Sequence, residues 1–403
     1  MTTLSSYPES YTAPPVAPDG PEYLLAKHAD LVGSPDGNQR GVIYYHRCDW
    51  EGLRARQRYL MTALSAWVPV IFLDGGADGR GKITRYQPCP NVTVVRGMVS
   101  LIDKLQNRGA GFLGSVVARY ALSGLTREWD RVIFWNAENW NRVYRYVRHD
   151  VMIHDCLDPS FDRDPDAEAA WWEREREVLS KAELVFGSAE SLLDEMRKYH
   201  AKVFRLNNAC APEEYSVEYM QSAERPAWWP DDQRPVVGYL GSLDWRVDLD
   251  LLQATAARCP EVRFVLAGRV IPEVSEACSE IDRLENVSVV GPVSVEDGRY
   301  LLQNCGVGII PFRVCAMNDA INPVKLYAYS LLGKPIVGTT VRELRERADV
   351  VYTANEPEAF AQAIRRALDE SEDPQVVARQ QRFAMENTWD HRAVDAWAQL
   401  RSL

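Results

Sequence analysis

The chain has 403 residues, a formal net charge of -11 and 46% hydrophobic residues. This length exceeds what one hydrophobic core usually supports, so we expect two domains. The acidic balance argues against nucleic acid as a partner, because a phosphate backbone is bound through clustered lysine and arginine. The eight cysteines form no C-x-x-C pair. This pattern indicates reduced thiols and neither a zinc site nor a disulfide framework.

No stretch approaches the roughly 18 to 20 apolar residues that cross a bilayer, and the first residues lack the core of a signal peptide. We therefore expect a cytoplasmic protein without a transmembrane segment, and peripheral membrane contact remains open. Residues 1–38 are rich in proline, serine, glycine and aspartate, which predicts a flexible arm. The sequence does not define the oligomeric state.

Short apolar runs alternate with helical or loop segments from Gly41 onward. The predicted strands of this first half are 41–45, 68–74, 91–95, 131–135, 151–155, 183–187 and 202–206. Helical patterns cover 51–66, 167–181 and 190–199. This alternation is typical of an open parallel sheet with both faces covered. We assign residues 39–211 to a first Rossmann-like domain.

The pattern breaks over residues 212–235, which are rich in charge and proline and are predicted to be a linker. A second alternation follows, with strands at 236–240, 262–268, 287–291, 307–312, 335–339 and 350–353. Two helical patterns, 373–386 and 390–400, have no strand after them. The predicted fold is α/β, with two Rossmann-like domains facing each other across a cleft. The second domain spans 236–388, and a helix in 389–403 packs back toward the first.

The segment Asn322–Thr339 carries the clearest binding signal. Pro323 suits the first position of a helix, where its missing N–H group is not needed. Lys325 then stands in the first turn, beside free backbone N–H groups and the positive end of the helix dipole. The segment therefore predicts an anion site for a phosphate or diphosphate.

Several short motifs occur one after another along the chain. In the first half they are Trp50 with Arg56–Leu60, His154–Asp158, Ser188–Glu190 and Asn207–Cys210. In the second half they are Gly238–Leu243, Asn286–Val293 and Ile310–Phe312. In order and spacing they resemble the GT-B glycosyltransferases, particularly bacterial members of the group 1 type, with some likeness to polysaccharide glucuronosyltransferases.

The resemblance implies a nucleoside-diphosphate sugar, most often UDP- or dTDP-linked, as donor and co-substrate, with no other cofactor and no metal. The acceptor, bound by the first domain, would be a natural product, a polysaccharide or a lipid-linked glycan. The residues expected to hold the donor are Gly241, Ser242, Arg269, Gly291, Pro292, Asn322, Pro323, Val324 and Lys325.

One departure concerns the Glu-x7-Glu pair that retaining members usually carry. Its positions here hold Ala320 and Ala328. The missing pair favours inversion, in which a base takes the proton of the acceptor. The candidate bases are Asp155 and Asp158 at the end of a strand, with His46 at the end of the first strand as a rival.

Four alternatives can be weighed against the same residues. A D-x-D motif at Asp162–Asp164 is a pattern that holds a divalent cation in another glycosyltransferase fold, but its proline-rich loop argues against a metal here. The same pair of domains also serves nucleotide-sugar epimerases, and a noncatalytic nucleotide-sugar-binding protein is a further possibility. An NAD-binding protein is not favoured, since no G-x-G-x-x-G follows the first strand.

Overall fold

The computed structural model describes residues 37–51, 56–75, 82–140, 142–159, 165–215 and 224–403. The predicted flexible arm, up to residue 36, and the D-x-D motif lie outside these ranges. The described chain divides into two compact units. The amino-terminal unit contains residues 37–208 and 389–403, and the carboxyl-terminal unit contains residues 209–388.

The amino-terminal unit is built on an eight-stranded sheet. Its strands are β1 (Arg40–His46), β2 (Val70–Asp74), β3 (Thr84–Cys89), β4 (Val92–Arg96), β5 (Arg131–Asn136), β6 (Val151–Cys156), β7 (Leu184–Gly187) and β8 (Val203–Arg205). The strand order is β3-β4-β2-β1-β5-β6-β7-β8, and all neighbours are parallel except β3 and β4. The helices are α1 (Arg56–Leu64), α2 (Met98–Asn107), α3 (Gly114–Leu122), α4 (Pro165–Leu179) and α5 (Glu190–Met196).

Strand β1 lies in the middle of this sheet and is buried along almost its whole length. A parallel strand covered on both faces reads as a continuous apolar run, which is why GVIYY is so clear in the sequence. Tyr45 of β1 pairs with Asn136 of β5. The carboxyl ends of β1 and β5, with the residues that follow them, are therefore adjacent.

The carboxyl-terminal unit contains a six-stranded parallel sheet in the order β11-β10-β9-β12-β13-β14. The strands are β9 (Val236–Leu240), β10 (Arg263–Ala267), β11 (Val287–Gly291), β12 (Val307–Ile310), β13 (Ile336–Gly338) and β14 (Val351–Thr353). The chain leaves β9 toward β10 on one side and later returns to β12 on the other. Ligands of open α/β sheets bind beyond the carboxyl ends of strands at such a reversal.

Helices cover this sheet. They are α6 (Leu249–Ala256), α7 (Ser275–Ile281), α8 (Val295–Asn304), α9 (Ala316–Asp319), α10 (Val324–Leu331), α11 (Arg342–Arg345), α12 (Pro357–Asp369) and α13 (Pro374–Met385). The predicted linker begins with a short 3-10 turn, Pro212–Tyr215, and its described residues 224–235 form neither helix nor strand.

The last helix, α14 (Trp389–Leu400), is part of the amino-terminal unit. The ring of Trp389 stacks on Tyr59 of α1 at 6.2 Å between ring centroids. Arg40 of β1 donates a hydrogen bond of 3.2 Å to the Leu403 carbonyl oxygen. The amino-terminal unit therefore contains chain from both sides of the carboxyl-terminal unit.

The predicted α/β fold class is confirmed, since both units are layered on mainly parallel sheets. The sequence reading missed β3, the antiparallel edge strand. This strand is largely exposed and contains Pro88. A polar run with a proline is tolerated only at a sheet edge, where no apolar signal marks it. In the part of the chain that the structure describes, no helix is long and apolar enough to cross a bilayer.

Candidate active site

Lys325 stands in the first turn of α10, as the sequence predicts. Its Nζ lies 3.3 Å from Tyr239 Oη and 4.9 Å from the ring centroid of Phe312. Burial, together with the nearby Arg246, lowers the pKa of Lys325 to about 7. Among the described residues it forms no ion pair. The site thus holds an ammonium group that is partly desolvated and has no carboxylate of its own.

Two glycines allow the backbone to come close to this ammonium group. Gly241 follows β9 with φ 151°, and a Cβ at this position would lie 3.1 Å from Lys325 Nζ. Gly268 follows β10 with φ 149°, and a Cβ there would lie 2.0 Å from the Gly241 carbonyl oxygen. The ends of β9 and β10 therefore fit together because Gly268 lacks a side chain, whereas the missing side chain of Gly241 leaves room for Lys325.

The loop after Gly241 supplies fewer backbone donors than the sequence suggests. The Gly241 N–H donates to the Ala267 carbonyl oxygen at 2.9 Å and is already used within the sheet. Ser242 is exposed, and its carbonyl oxygen accepts a hydrogen bond of 2.8 Å from Tyr239 Oη. Gly241 therefore leaves space for Lys325, and its N–H is not available to a ligand.

The other residues predicted to hold the nucleotide-sugar donor fall into two groups. Arg269, Pro292 and Val324 are exposed at the ends of β10, β11 and the start of α10, and Gly291 ends β11 at φ 79° with open space around it. These positions are accessible to a ligand.

Asn322 and Pro323 are buried instead. The Asn322 amide donates to Glu343 at 2.6 Å and accepts a hydrogen bond of 2.9 Å from Tyr327 Oη. Its side chain therefore fixes the start of α10. The observed bonds position Lys325, and neither reaches outward to a ligand.

Arg246 belongs to this site but was missed in the sequence. It follows the glycine loop and donates through Nε to Asp244 at 3.0 Å. Burial acts to raise the pKa of Asp244, but the hydrogen bonds from Arg246 lower it below its usual value. Asp244 is thus hydrogen-bonded to Arg246, and among the described residues it forms no ion pair with Lys325. The only signal was an arginine four residues beyond Ser242, too common a pattern to single out.

A second cluster lies at the carboxyl ends of β1 and β5. The Nε2 of His46 is 3.7 Å from Glu138 Oε1, and the buried Nδ1 has no hydrogen-bond partner among the described residues. Burial and the charge of Arg56 lower the pKa of His46 to about 4. The imidazole is therefore neutral at neutral pH, with a carboxylate beside it.

Glu138 was also missed by the sequence reading. Its Oε1 accepts a hydrogen bond of 3.0 Å from the Arg47 N–H, and burial raises the pKa of the Glu138 carboxyl. The signal would have been its position two residues after β5. Using that signal needed the strand order, which places β5 beside β1.

Asp155 and Asp158, the two predicted carboxylate bases, lie in different surroundings. Asp155 is 0% exposed and is bound by Arg56 Nη2 at 2.8 Å and by Trp135 Nε1 at 3.3 Å. A carboxylate enclosed by these partners is not accessible to an acceptor substrate. Asp155 is therefore one member of a buried ion pair with Arg56. Asp158 is exposed in the loop after β6.

His154 forms a buried pair with Glu175 of α4, at 2.6 Å between Nε2 and Oε1. Its Nδ1 donates to the Asn136 carbonyl oxygen at 3.0 Å, and Asn139 donates to Glu175 at 2.8 Å. Burial acts to lower the pKa of His154, but Glu175 raises it above the usual value. The charged pair holds residues 136–139, the loop that carries Glu138.

Metal coordination is a possible role for this pair and Cys156, since their ligand atoms all lie within 4.8 Å of one another. Glu175 accepts hydrogen bonds from both His154 and Cys156. All three side chains are therefore already satisfied by one another. We interpret the cluster as a buried structural support for residues 136–139. The absence of a metal from the site stays a prediction.

Sequence comparison gives two matches. The family described as "Glycosyl transferases group 1" matches residues 234–370, which include the Lys325 site. The putative teichuronic acid biosynthesis glycosyltransferase TuaH of Bacillus subtilis (strain 168) is 23% identical over 257 residues, 60% of this chain. Residues 234–370 therefore carry a group 1 glycosyltransferase domain. The aligned part spans 64% of the length of TuaH.

Solved structures show that the chain has the GT-B fold. Sucrose-phosphate synthase from Thermosynechococcus elongatus has a TM-score of 0.68 at 15% identity, over 90% of this chain and 98% of that chain. A trehalose-6-phosphate protein from E. coli, bound with UDP-2-fluoro glucose, has a TM-score of 0.62 at 11% identity, over 91% and 99%. At these identities the likeness concerns the fold alone.

The predicted resemblance to group 1 glycosyltransferases is confirmed over residues 234–370, and the comparisons support the predicted transferase class. The epimerase and the noncatalytic binding protein are not favoured. The departure at Ala320 and Ala328 remains, with Ala320 buried and Ala328 partly buried. Asp319, beside Ala320, accepts a hydrogen bond of 2.7 Å from the Arg342 N–H and so caps the start of α11.

Proposed function

We propose that this glycosyltransferase moves a sugar from a UDP- or dTDP-linked donor to a hydroxyl of an acceptor. The observation that carries the proposal is Lys325, a partly buried ammonium group beside Gly241 without an ion-pair partner in the described chain. A site with such a cation binds a negatively charged ligand best. The structurally similar E. coli protein binds UDP-2-fluoro glucose, which supports a UDP sugar as the first donor to test.

The leaving diphosphate gains negative charge as its bond to the sugar breaks. In this proposal, Lys325 and the N–H groups of Ser242 and of the first turn of α10 take up this charge. Arg269, exposed at the end of β10, adds a second cation within the same set of strand ends. With these groups as the electrophilic partners, we propose a transfer that needs no divalent metal.

His46 is the base that we favour. In the transfer, the acceptor oxygen bonds to the anomeric carbon, the bond from that carbon to the diphosphate oxygen breaks, and the acceptor proton passes to the His46 imidazole. The pKa of His46, lowered to about 4, keeps the imidazole neutral but also makes it a weak base. Glu138, 3.7 Å away, then stabilises the imidazolium.

Inversion at the anomeric carbon is part of this proposal. Two features support it: a neutral histidine paired with a carboxylate, and alanine at both positions of the usual Glu pair. Asp158 remains the second candidate, since it is exposed. The stereochemistry of the product, read by NMR of the anomeric proton, tests the inversion directly.

The acceptor belongs to the amino-terminal unit in this proposal, because that unit contains His46 and Glu138. Natural products, polysaccharides and lipid-linked glycans all offer the hydroxyl that the reaction needs. All eight cysteines are free. Free thiols support the cytoplasm, a reducing compartment, as the place of the reaction.

The deciding experiment is calorimetric titration of UDP, dTDP, GDP and ADP into the native protein and into Lys325→Ala. We expect one pyrimidine diphosphate to bind and the variant to bind it about tenfold or more weakly, which equals the loss of one charge-assisted hydrogen bond. Lys334→Ala serves as the matched control. Lys334 is a lysine of the same unit that precedes β13, so it lies at the amino end of a strand and not at the carboxyl ends where the donor is expected. Equal affinity in native protein and Lys325→Ala contradicts the proposal, as does the absence of binding at millimolar concentration.

A further inference from the structure

Large apolar side chains are exposed on one short segment of the amino-terminal unit. Phe112 is 79% exposed, Leu113 39%, Val116 53% and Tyr120 69%. We call these four residues the apolar ridge. A contiguous exposed apolar patch on a folded protein marks a surface that binds something, whereas scattered apolar residues do not.

The spacing of the apolar ridge places it on one face. A 3-10 turn, Gly111–Leu113, runs directly into α3, and Phe112, Val116 and Tyr120 follow one another at intervals of four. Residues four apart on a helix are neighbours on its surface. The opposite face of α3 is apolar too, and it buries Ala118, Ala121 and Leu122 in the core. The helix is thus apolar on two sides, only one of which is covered.

The segment is held firmly in the unit, so its exposure is not a result of detachment. A Cβ at Gly114 would lie 2.5 Å from the ring of Tyr146, which shows how closely the start of α3 packs. Gln106 of α2 donates to Tyr146 Oη at 2.7 Å. At the other end, Arg85 donates to the Tyr120 carbonyl oxygen at 2.7 Å.

The charges around the apolar ridge are positive, although the chain as a whole carries -11. Residues 98–125 contain Lys104, Arg108 and Arg119 against a single acidic residue, Asp103. All three cations are exposed, and none makes an ion pair with a described residue. Arg85 adds a fourth cation at the end of α3.

From this arrangement we propose that the apolar ridge docks the protein on an anionic lipid surface. Phenylalanine and tyrosine enter the boundary between headgroups and acyl chains, and flanking lysine and arginine bind the anionic headgroups. The acidic remainder of the chain is repelled by the same surface, so the ridge decides which side of the protein faces the lipid. A symmetric contact between two copies fits less well, because it would bring the same cations against each other.

Flotation of the full chain with vesicles tests the docking. We expect binding to phosphatidylcholine vesicles that contain phosphatidylglycerol, weaker binding as salt is raised, and little binding to phosphatidylcholine alone. Phe112→Ser/Tyr120→Ser should lower the partition coefficient on anionic vesicles by about tenfold or more. Arg108→Gln/Arg119→Gln should remove the preference for the anionic vesicles.

Tyr199→Ser is the matched control, since Tyr199 is a tyrosine of the same unit that is 48% exposed but lies outside the ridge. It should float like the native protein. Unchanged thermal unfolding and unchanged diphosphate affinity show that the ridge variants are folded. The proposal is overturned if the native protein binds neither vesicle, if the ridge variant binds like the native protein, or if sedimentation shows ridge-dependent dimers without vesicle binding.

Discussion

Lys325 and Tyr239 share a hydrogen bond that leaves the lysine charge unneutralised. Tyr239 Oη donates to the Ser242 carbonyl oxygen at 2.8 Å, so its lone pairs remain to accept from Lys325 Nζ at 3.3 Å. Burial raises the pKa of Tyr239, which keeps the phenol neutral. The ammonium group also lies 4.4 Å from the centre of the tyrosine ring. Tyr239 therefore orients the cation without competing with an anionic ligand.

Donor affinity should depend on pH through Lys325. The pKa of Lys325 is lowered to about 7, and the diphosphate binds the ammonium form, so UDP affinity should fall as the pH rises above about 7. The UDP affinity can fall by at most about tenfold for each pH unit. Titration calorimetry from about pH 7 to pH 9 measures the effect, in a range where the diphosphate itself stays ionised.

Lys325→Arg is the control for this pH dependence, because a guanidinium keeps its charge across the same range. Its UDP affinity should be flat with pH even if the absolute affinity is lower. An affinity that falls equally in Lys325→Arg would assign the titration to another group.

Alanine at the two glycines should have different consequences. At Gly268 a Cβ would lie 2.0 Å from backbone, so Gly268→Ala should destabilise the carboxyl-terminal unit by about 2 kcal/mol or more. At Gly241 the nearest atom is the flexible end of Lys325. Gly241→Ala should therefore weaken UDP binding more than folding. Urea unfolding and calorimetry on both variants separate the two effects, and an equal loss of stability would contradict this reasoning.

His46→Ala should abolish transfer while leaving donor binding intact. Removing a general base typically slows a reaction by about a hundredfold or more, and His46 is in the unit that does not contain Lys325. Initial rates at saturating donor, compared with UDP affinity, make the distinction. Asp158→Asn is the matched variant and should retain most of the rate. The opposite result would make Asp158 the base.

Breaking the Asp155 pair should cost stability. Asp155 is 0% exposed and bound by Arg56, so Arg56→Leu leaves a buried carboxylate without its cation. Loss of one partner of such a pair typically costs about 3 to 5 kcal/mol. Urea unfolding of Arg56→Leu and of Arg56→Leu/Asp155→Leu tests this, and the double variant should recover part of the loss. If the single variant unfolds like the native protein, the pair is not a structural support.

The strands and the helix start at Lys325 could be predicted from the sequence because their signals are local. Continuous apolar runs such as β1 and β9 mark parallel strands covered on both faces, and Pro323 with Lys325 marks a helix start beside a cation. The fold class follows from the alternation of these runs. The edge strand β3 has no such signal.

The missed site residues depend on which strands are neighbours. Glu138 acquires a role only because β5 lies beside β1, which puts it 3.7 Å from His46. The sequence predicts Asp155 as an open base, whereas in the structure Arg56 of α1 binds it. Likewise, the Asn322 side chain is engaged by Glu343, a contact across 21 positions of sequence. Single-sequence patterns do not contain such long-range partners.

The position of α14 has a consequence for synthesis of the protein. Arg40 in the first strand bonds to the Leu403 carbonyl oxygen, and Trp389 stacks on Tyr59. During translation, the amino-terminal unit therefore cannot complete its fold until α14 is made, which happens only after all of residues 209–388. The carboxyl-terminal unit has no such delay. During translation, then, the second unit in the sequence can be completed first.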